Sequence, residues 1–250
     1  MTPSPCPSAV KKTTRRIVLG GCFLVSLGGC ATRPDAHPRD PLEAFNRGVF
    51  AFNDDVDRVI FKPAAIVYRE LTPTLFRAGV GNFFGNLDDV WSFVNSVLQF
   101  KGEVAARNFT RFAVNTVFGV WGVFDVASEM RIDRQREDFG QTLGWWGVEP
   151  GPYLVLPILG SSTLRDTVAL PVDMKGDIVT NLDNKAMRSA LKGLDLLDIR
   201  AGLLSVSDAL DEAALDKYSF QRDAFLQRRA NAVFDGNPPD DGSDVRPPTR

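Results

Sequence analysis

The chain has 250 residues, 44% of them hydrophobic, with a formal net charge of -2 and mean hydropathy -0.09. That length holds one large or two modest domains, and the composition is that of an ordinary folded globular protein. No basic block of five or more residues is present, which argues against nucleic acid as a partner and against electrostatic docking on anionic lipid.

At the N-terminus, Lys11, Lys12, Arg15 and Arg16 precede the apolar run IVLGGCFLVSLGG, residues 17–29, in the pattern of an export signal. At about 13 residues the run is shorter than the roughly 17 to 25 that span a bilayer as a helix, so removal of residues 1–29 is expected. The segment ends in LGGC, residues 27–30, which resembles the lipobox of bacterial lipoproteins, where the cysteine becomes the acylated first residue. Cys30 is therefore the expected anchor; the earlier LGGC at residues 19–22 would leave Cys22 too little apolar chain before it. Ala31 follows where an aspartate would favour retention at the inner membrane, so the same resemblance points to the outer membrane. Two or three acyl chains hold a protein durably, because each buried methylene contributes about 0.8 kcal/mol. Removing the signal takes four of 29 basic residues and none of the 31 acidic ones, which leaves 25 against 31, a charge of about -6.

Cysteine and histidine usage restricts the chemistry further. Cys6 and Cys22 leave with the signal and Cys30 carries lipid, so the mature fold has no disulfide and no thiol nucleophile. The one histidine, His37, lies in a polar tether, residues 30–39. A Ser-His-Asp triad, a cysteine-histidine pair and a histidine-liganded zinc site all need histidines in the folded part. No P-loop, GxSxG elbow or GxGxxG after a strand is present, and GVGNFFG, residues 79–85, reads as a close helix contact. Asp88 with Asp89, Glu137 with Asp138, or Asp166 could pair as acid and base in the manner of glycosidases, although solvated or capping carboxylates are far commoner. The expectation is a non-enzyme without cofactor or metal.

In chain order, DPLE at residues 40–43 offers a capping aspartate, a proline at the first helical position and a glutamate, close to a capping box. The helix it starts runs through Phe45, Val49, Phe52, Val56 and Ile60 at spacings of three or four, with Arg47, Asn53, Asp54, Asp57 and Arg58 elsewhere around the wheel. Pro63 and then Thr72 with Pro73 punctuate the chain before a helical pair expected over about 74–99. The next helix begins near Glu103, whose spacing to Arg107 and Arg111 predicts an i,i+4 polar stripe. Its continuation FAVNTVFGVWGVF, residues 112–124, carries no charge and is too short to cross a bilayer; it is deep core, or a helix touching lipid on one side and protein on the other. After a charged hinge, RIDRQRED, the stretch GWWGVEPGPYLVLPILG at residues 144–160 predicts a short strand or extended loop. Amphipathic helices over about 163–170, 185–209 and 211–234 follow, and the tail from about Gly236 has the composition of disorder.

Several long motifs carry a resemblance. DPLEAFNRGVFAFN (40–53), NFFGNLDD (82–89), FTRFAVNTVFGVWGVFDVAS (109–128), FGQTLGWWGVEPGPYLVLPILGSSTLRD (139–166) and DKYSFQRDAFLQRR (216–229) resemble, in order, the MlaA (VacJ) lipoproteins. The resemblance implies a mostly α fold, one ring-like helical domain over residues 40–235 lying in one membrane leaflet, with residues 236–250 a disordered tail. It implies an amphipathic channel that takes mislocalised phospholipid from the outer leaflet of the outer membrane and passes it to a periplasmic lipid carrier, in association with trimeric porins. Within that picture Phe52 and Asn53 are expected where the first helix meets the channel. Trp145, Trp146, Tyr153 and Leu154 are expected as membrane interface or channel wall, since Trp and Tyr join an apolar body to a polar tip. Arg47, Arg111, Asp125, Arg165 and Asp166 fall within the family-like motifs and read as ion pairs fixing the ring, ahead of headgroup contacts. Two rivals share parts of this pattern: a porin-associated structural lipoprotein without transport activity, and a carboxylate-dependent periplasmic hydrolase.

Overall fold

The structure, a computed structural model, describes residues 37–238. The expected signal, the acylation site Cys30 and most of the tail lie outside the described residues.

Helix α1 (Glu43–Val56) passes through a π-helical turn (Asp57–Phe61) into α2 (Lys62–Leu71). Two expectations change here. Asp40 does not cap α1, because Leu42 holds the cap position and no side chain bonds it. Asp40 is instead fully buried, accepting hydrogen bonds from Asn46 Nδ2 at 2.8 Å and from the hydroxyl of Tyr218, and pairing with Arg222. Pro63 does not end the helix either. A proline lacks the N–H that an α-turn needs, and the wider turn before it, in which the Lys62 N–H reaches back to the Asp57 carbonyl, absorbs the mismatch.

Residues 74–98 form one continuous helix, α3 (Thr74–Leu98), rather than a pair, and α4 (Gly102–Val117) returns antiparallel against it. The seam between them is polar. Asn86, Asp89, Ser92, Asn95, Ser96 and Gln99 recur every three or four residues on α3 and face Asn108, Arg111 and Asn115 on α4, all buried. Hydrogen bonds such as Asn108 Nδ2 to Ser96 Oγ at 3.2 Å join the helices where Leu and Val would in a soluble bundle. The outer sides of the same hairpin carry Val97, Phe100, Phe109 and Val117, all exposed.

Helix α4 stops halfway through the apolar run expected to continue it. Residues 118–124 fold back as a turn in which Val120, Trp121 and Gly122 all take positive φ, and Gly122 N–H bonds the Asn115 carbonyl. A Cβ on Gly119 would lie 2.1 Å from the Phe124 carbonyl oxygen, so only glycine fits that fold-back. The short helix α5 (Val126–Glu129) follows, capped by Asp125. The supposed hinge, 131–138, is irregular but tied down: Arg134 pairs with Asp89, and Glu137 with Lys101. Helix α6 (Phe139–Trp145) is capped by Asp138.

The strand alternative for the glycine- and proline-rich stretch holds. Strand β1 (Tyr153–Leu156) pairs antiparallel with β2 (Gly160–Thr163), Tyr153 opposite Thr163. Helix α7 (Leu164–Gly176), a 3-10 turn (Val179–Asn181), α8 (Lys185–Gly202), α9 (Leu204–Ala213) and α10 (Lys217–Val233) complete the chain, the expected 185–209 helix being split at Leu203. The fold is thus mostly α. Its packing neighbours close a circuit: α1 leads through α2 to α8, then α3, α6, α7, β2 and β1, and back to α1.

Apolar burial is divided among three small clusters, around Ala65 with Leu204, Val80 with Phe84, and Tyr153 with Tyr218. The largest fully buried side chains are otherwise dominated by Arg111, Gln99 and asparagines, while Phe100 is 89% and Trp121 72% exposed. Soluble domains distribute these residue types the other way round. No helix among the described residues is long and apolar enough to cross a membrane.

Candidate functional site: an amphipathic cavity

A cavity of about 360 Å³ opens between α3, residues 136–141, α7 and α8. Helical spacing creates its two characters. On α3, Phe84, Leu87, Asp88 and Trp91 share one face; on α7, Leu170, Asp173 and Met174 do, and on α8 Lys192 and Asp195. Apolar side chains and acids share these faces, so the lining is amphipathic, with carboxylates among the apolar residues and few cations. Trp91 has both characters: its ring lies against the end of α7, and its Nε1 donates to Asp173 Oδ1 at 2.8 Å, an oxygen that also accepts from the Phe139 N–H at 2.8 Å. The fit depends on Gly176, where a Cβ would lie 2.2 Å from the indole.

The electrostatics of the polar lining are uneven. Lys192 bonds Asp177, which also accepts from the Val179 N–H at 2.7 Å; burial raises the Asp177 pKa, but these donors outweigh it and the pKa falls below the ordinary value. Arg136 reaches Asp88 only at 3.8 Å, and burial pushes the Asp88 carboxyl up. Asp173, buried without a cation in bonding range, is raised for the same reason. Asp195 has neither hydrogen bond nor ion pair among the described residues; burial, then the nearby Asp88, push it up to about 6 against a partial counter-effect of Lys192. A carboxyl with a raised folded pKa binds its proton more tightly folded than unfolded, so it lowers stability as pH rises through about 6. Asp195→Asn is accordingly expected to raise the melting temperature at pH 7.5 and to leave it unchanged near pH 4, as calorimetry at the two pH values would measure.

A second cavity, of about 550 Å³, lies on the other flank of α8, between α1, the hairpin and α9. Leu196, Ile199 and Leu203 line it with Phe50, Phe61 and Ile158. Its charges are matched in pairs: Arg200 with Asp57 at 2.7 Å, Lys62 with Asp208 at 2.7 Å and Lys217 with Asp211 at 2.5 Å.

Of the residues singled out from the sequence, the carboxylates Asp88, Glu137 and Asp138 line the first cavity, whereas those expected at the channel or the membrane interface do not gather there. Phe52 is exposed on α1, and Asn53 borders the second cavity, where it clamps the hairpin: Nδ2 donates to the Leu156 carbonyl at 3.0 Å and Oδ1 accepts from the Ile158 N–H at 2.7 Å. Trp146 is exposed with Nε1 on the Leu98 carbonyl at 3.1 Å, and Trp145 lies under Lys101, whose Nζ is 4.6 Å from the ring centre. Tyr153 departs from its expected place at an interface or channel wall: it is 0% exposed, stacked edge-on to Tyr218, while its neighbour Leu154 is half-buried. Alternation along β1 turns Tyr153 and Val155 toward α10.

The charged set stands in ion pairs. Arg47 bridges Glu43 and Asp216, both at 2.7 Å, over the Tyr218 ring. Arg165 bonds Asp166, and Arg229 joins Asp166 to Asp138. Arg111 is not part of a surface stripe; it is 0% exposed, its Nη2 donates to both carboxylate oxygens of Asp125 at 2.9 Å, it stands 3.5 Å from Asp89, and its Nη1 bonds the Ile132 carbonyl. Sequence reasoning missed Trp91, Asp173, Lys192 and Asp195. The last two sit in a helix whose regular charges read as an ordinary wet face, and only the packing of α8 against α3 reveals otherwise.

Comparison with known proteins places this architecture. The family model described as "MlaA lipoprotein" matches residues 38–232. The chain belongs to the MlaA lipoprotein family. It is 38% identical over 218 residues to the "Intermembrane phospholipid transport system lipoprotein MlaA" of Escherichia coli, covering 85% of each chain. Its likeness to the Haemophilus influenzae protein of the same description is 35% over 232 residues, covering 89% of this chain and 92% of that one. A solved chain from work on the "Structural basis for maintenance of bacterial outer membrane lipid asymmetry" superposes with a TM-score of 0.69 at 35% identity, covering 78% of this chain and 98% of the other.

Proposed function

We propose that this MlaA-family protein is an outer-membrane lipoprotein, anchored through Cys30 on the periplasmic face. It withdraws mislocalised phospholipid from the outer leaflet through its amphipathic cavity and passes it to a periplasmic carrier. The observation that carries the reading is a cavity lined by both apolar side chains and charged groups, set in a fold whose exposed surface is rich in aromatics. A headgroup crossing hydrocarbon lacks hydrogen-bond partners, so a path with polar groups in its lining lowers that cost while the acyl chains stay against Phe84, Leu87 and Leu170. The exposed aromatics of the α3–α4 hairpin and the 118–124 turn are a surface for hydrocarbon, held together from within by the polar seam. Transfer of this kind breaks no bond, so it asks nothing of a nucleophile or metal. Trimeric porins are the partners that the family resemblance adds.

The test is labelling of surface phospholipid amines on intact cells with a membrane-impermeant reagent. A deletion strain is expected to label more than wild type. Restoration is expected from the wild-type gene and not from Cys30→Ala or from Met174→Trp, which fills the cavity. Equal labelling in all strains would instead support a porin-associated structural lipoprotein.

A further inference from the structure

The polar lining of the cavity is one-sided in a way that transport alone does not require. Lys192 is already committed to Asp177, and Arg136 stands 3.8 Å from Asp88. What remains open toward a ligand is acceptor capacity. Among the described residues Asp195 has neither hydrogen bond nor ion pair, Asp173 accepts from Trp91 and Phe139 but has no cation in bonding range, and Gln141, 5% exposed and lining the cavity, leaves its Oε1 unbonded while its Nε2 donates to Arg136 O and Asp138. The second cavity is the internal contrast: there each lining carboxylate has a cation, Asp54 with Arg58, Asp57 with Arg200 and Asp211 with Lys217. A lining of unpaired acceptors and uncompensated negative charge favours an entering group that brings N–H donors and a positive charge, and penalises an anion.

We propose that this cavity discriminates by headgroup, favouring phospholipids with a primary ammonium over anionic phospholipids, and that Asp195 is the principal discriminating residue. The inference rests on the cavity being the phospholipid path. In such a complex the ammonium stands at Asp195 and the Gln141 carbonyl, with the acyl chains against Phe84, Leu87 and Leu170. Asp195 lowers the stability of the empty fold at neutral pH, as a recognition group that awaits its counter-charge does.

The experiment uses the full acylated protein carrying a photoreactive amino acid at Met174, which is partly exposed among the apolar residues of the lining. It is reconstituted with vesicles of equal parts phosphatidylethanolamine and phosphatidylglycerol, irradiated, and its lipid adducts are weighed by mass spectrometry. The expected ratio favours phosphatidylethanolamine roughly fivefold, the yield of one partly screened charge interaction of about 1 kcal/mol. Asp195→Asn, which keeps the side-chain shape, is expected to bring the ratio to about one with total adduct unchanged. Equal adducts of both lipids in the wild type, or an excess of phosphatidylglycerol, would overturn the headgroup inference and leave the path in place. A preference that survives Asp195→Asn would overturn the assignment of Asp195. Absence of any adduct at Met174 would overturn the path itself, and the inference with it.

Discussion

Arg111→Ala is expected to cost about 3 to 5 kcal/mol of stability, the largest effect of any single substitution in the α3–α4 hairpin. The guanidinium is fully buried and compensates Asp125 and Asp89, with Ser128 Oγ and the Ile132 carbonyl as further partners. Truncation leaves these carboxylates short of their counter-charge. Asp89 keeps Arg134, but Asp125 depends on few groups: burial pushes it up, while hydrogen bonds from Ser128, Asn115 and Arg111 outweigh that and hold it at about 2. Its folded pKa lies below the ordinary value, so its contribution is present above about pH 4 and is lost as pH falls toward 2. Arg111→Ala should therefore show a shallower acid transition as well as a lower urea midpoint. Arg111→Lys is expected to recover little, since one ammonium cannot hold Asp125 as Nη2 does and also bond Ser128 Oγ and the Ile132 carbonyl as Nη1 does. A urea midpoint within experimental error of wild type would show that the seam is held by its asparagines alone.

The second large effect concerns the exposed aromatics. Paired substitution Phe100→Asp with Trp121→Asp, made on the Cys30→Ala background to remove the acyl anchor, is expected to lower partition onto vesicles more than about 100-fold. Each large apolar side chain contributes roughly 1.5 to 3 kcal/mol on leaving water, and each factor of ten requires about 1.4 kcal/mol. The fold should persist, because both residues stand at positive φ, 58° and 59°, a conformation that aspartate accepts more readily than a bulky aromatic. Two aromatics kept at turn tips with unfavourable backbone are displayed there, and what they gain cannot be core packing. Vesicle co-sedimentation with helical circular dichroism as control measures this. Unchanged partition at native helicity would remove these tips from the membrane surface.

How much of this was legible in the sequence follows from which physical signals are local. Helix existence was, because periodicity and breakers act within one element: α3 and α4 begin and α10 ends close to where spacing places them, although α3 is one helix and not a pair, α4 stops at Val117 and α10 starts at Lys217 instead of about 211; the glycines and prolines around Tyr153 correctly excluded a long helix. What was not legible depends on partners far along the chain. Asp40 has the position of a cap, yet its bonds go to Tyr218 and Arg222, more than 170 residues on. Arg111 sits at surface-like spacing to Glu103 and Arg107, but the seam that buries it is built from polar residues, a reversal that no amphipathic wheel anticipates. The same reversal hides the site. A helix with Lys192 and Asp195 reads as solvated in water-based reasoning, and the carboxylates at the cavity are informative only once α3, α7 and α8 are placed together.

Whether phospholipid occupies the cavity beside α8 can be read by photo-cross-linking in living cells. Cells labelled with radioactive phosphate would express the full chain with a photoreactive amino acid at Met174 in the cavity, at Phe100 on the apolar surface, or at Gln227 on the exposed side of α10. Phospholipid adducts are expected at Met174 and Phe100 and none at Gln227. Adducts at Phe100 without any at Met174 would contradict that occupancy, leaving a membrane-bound protein whose cavity carries no lipid.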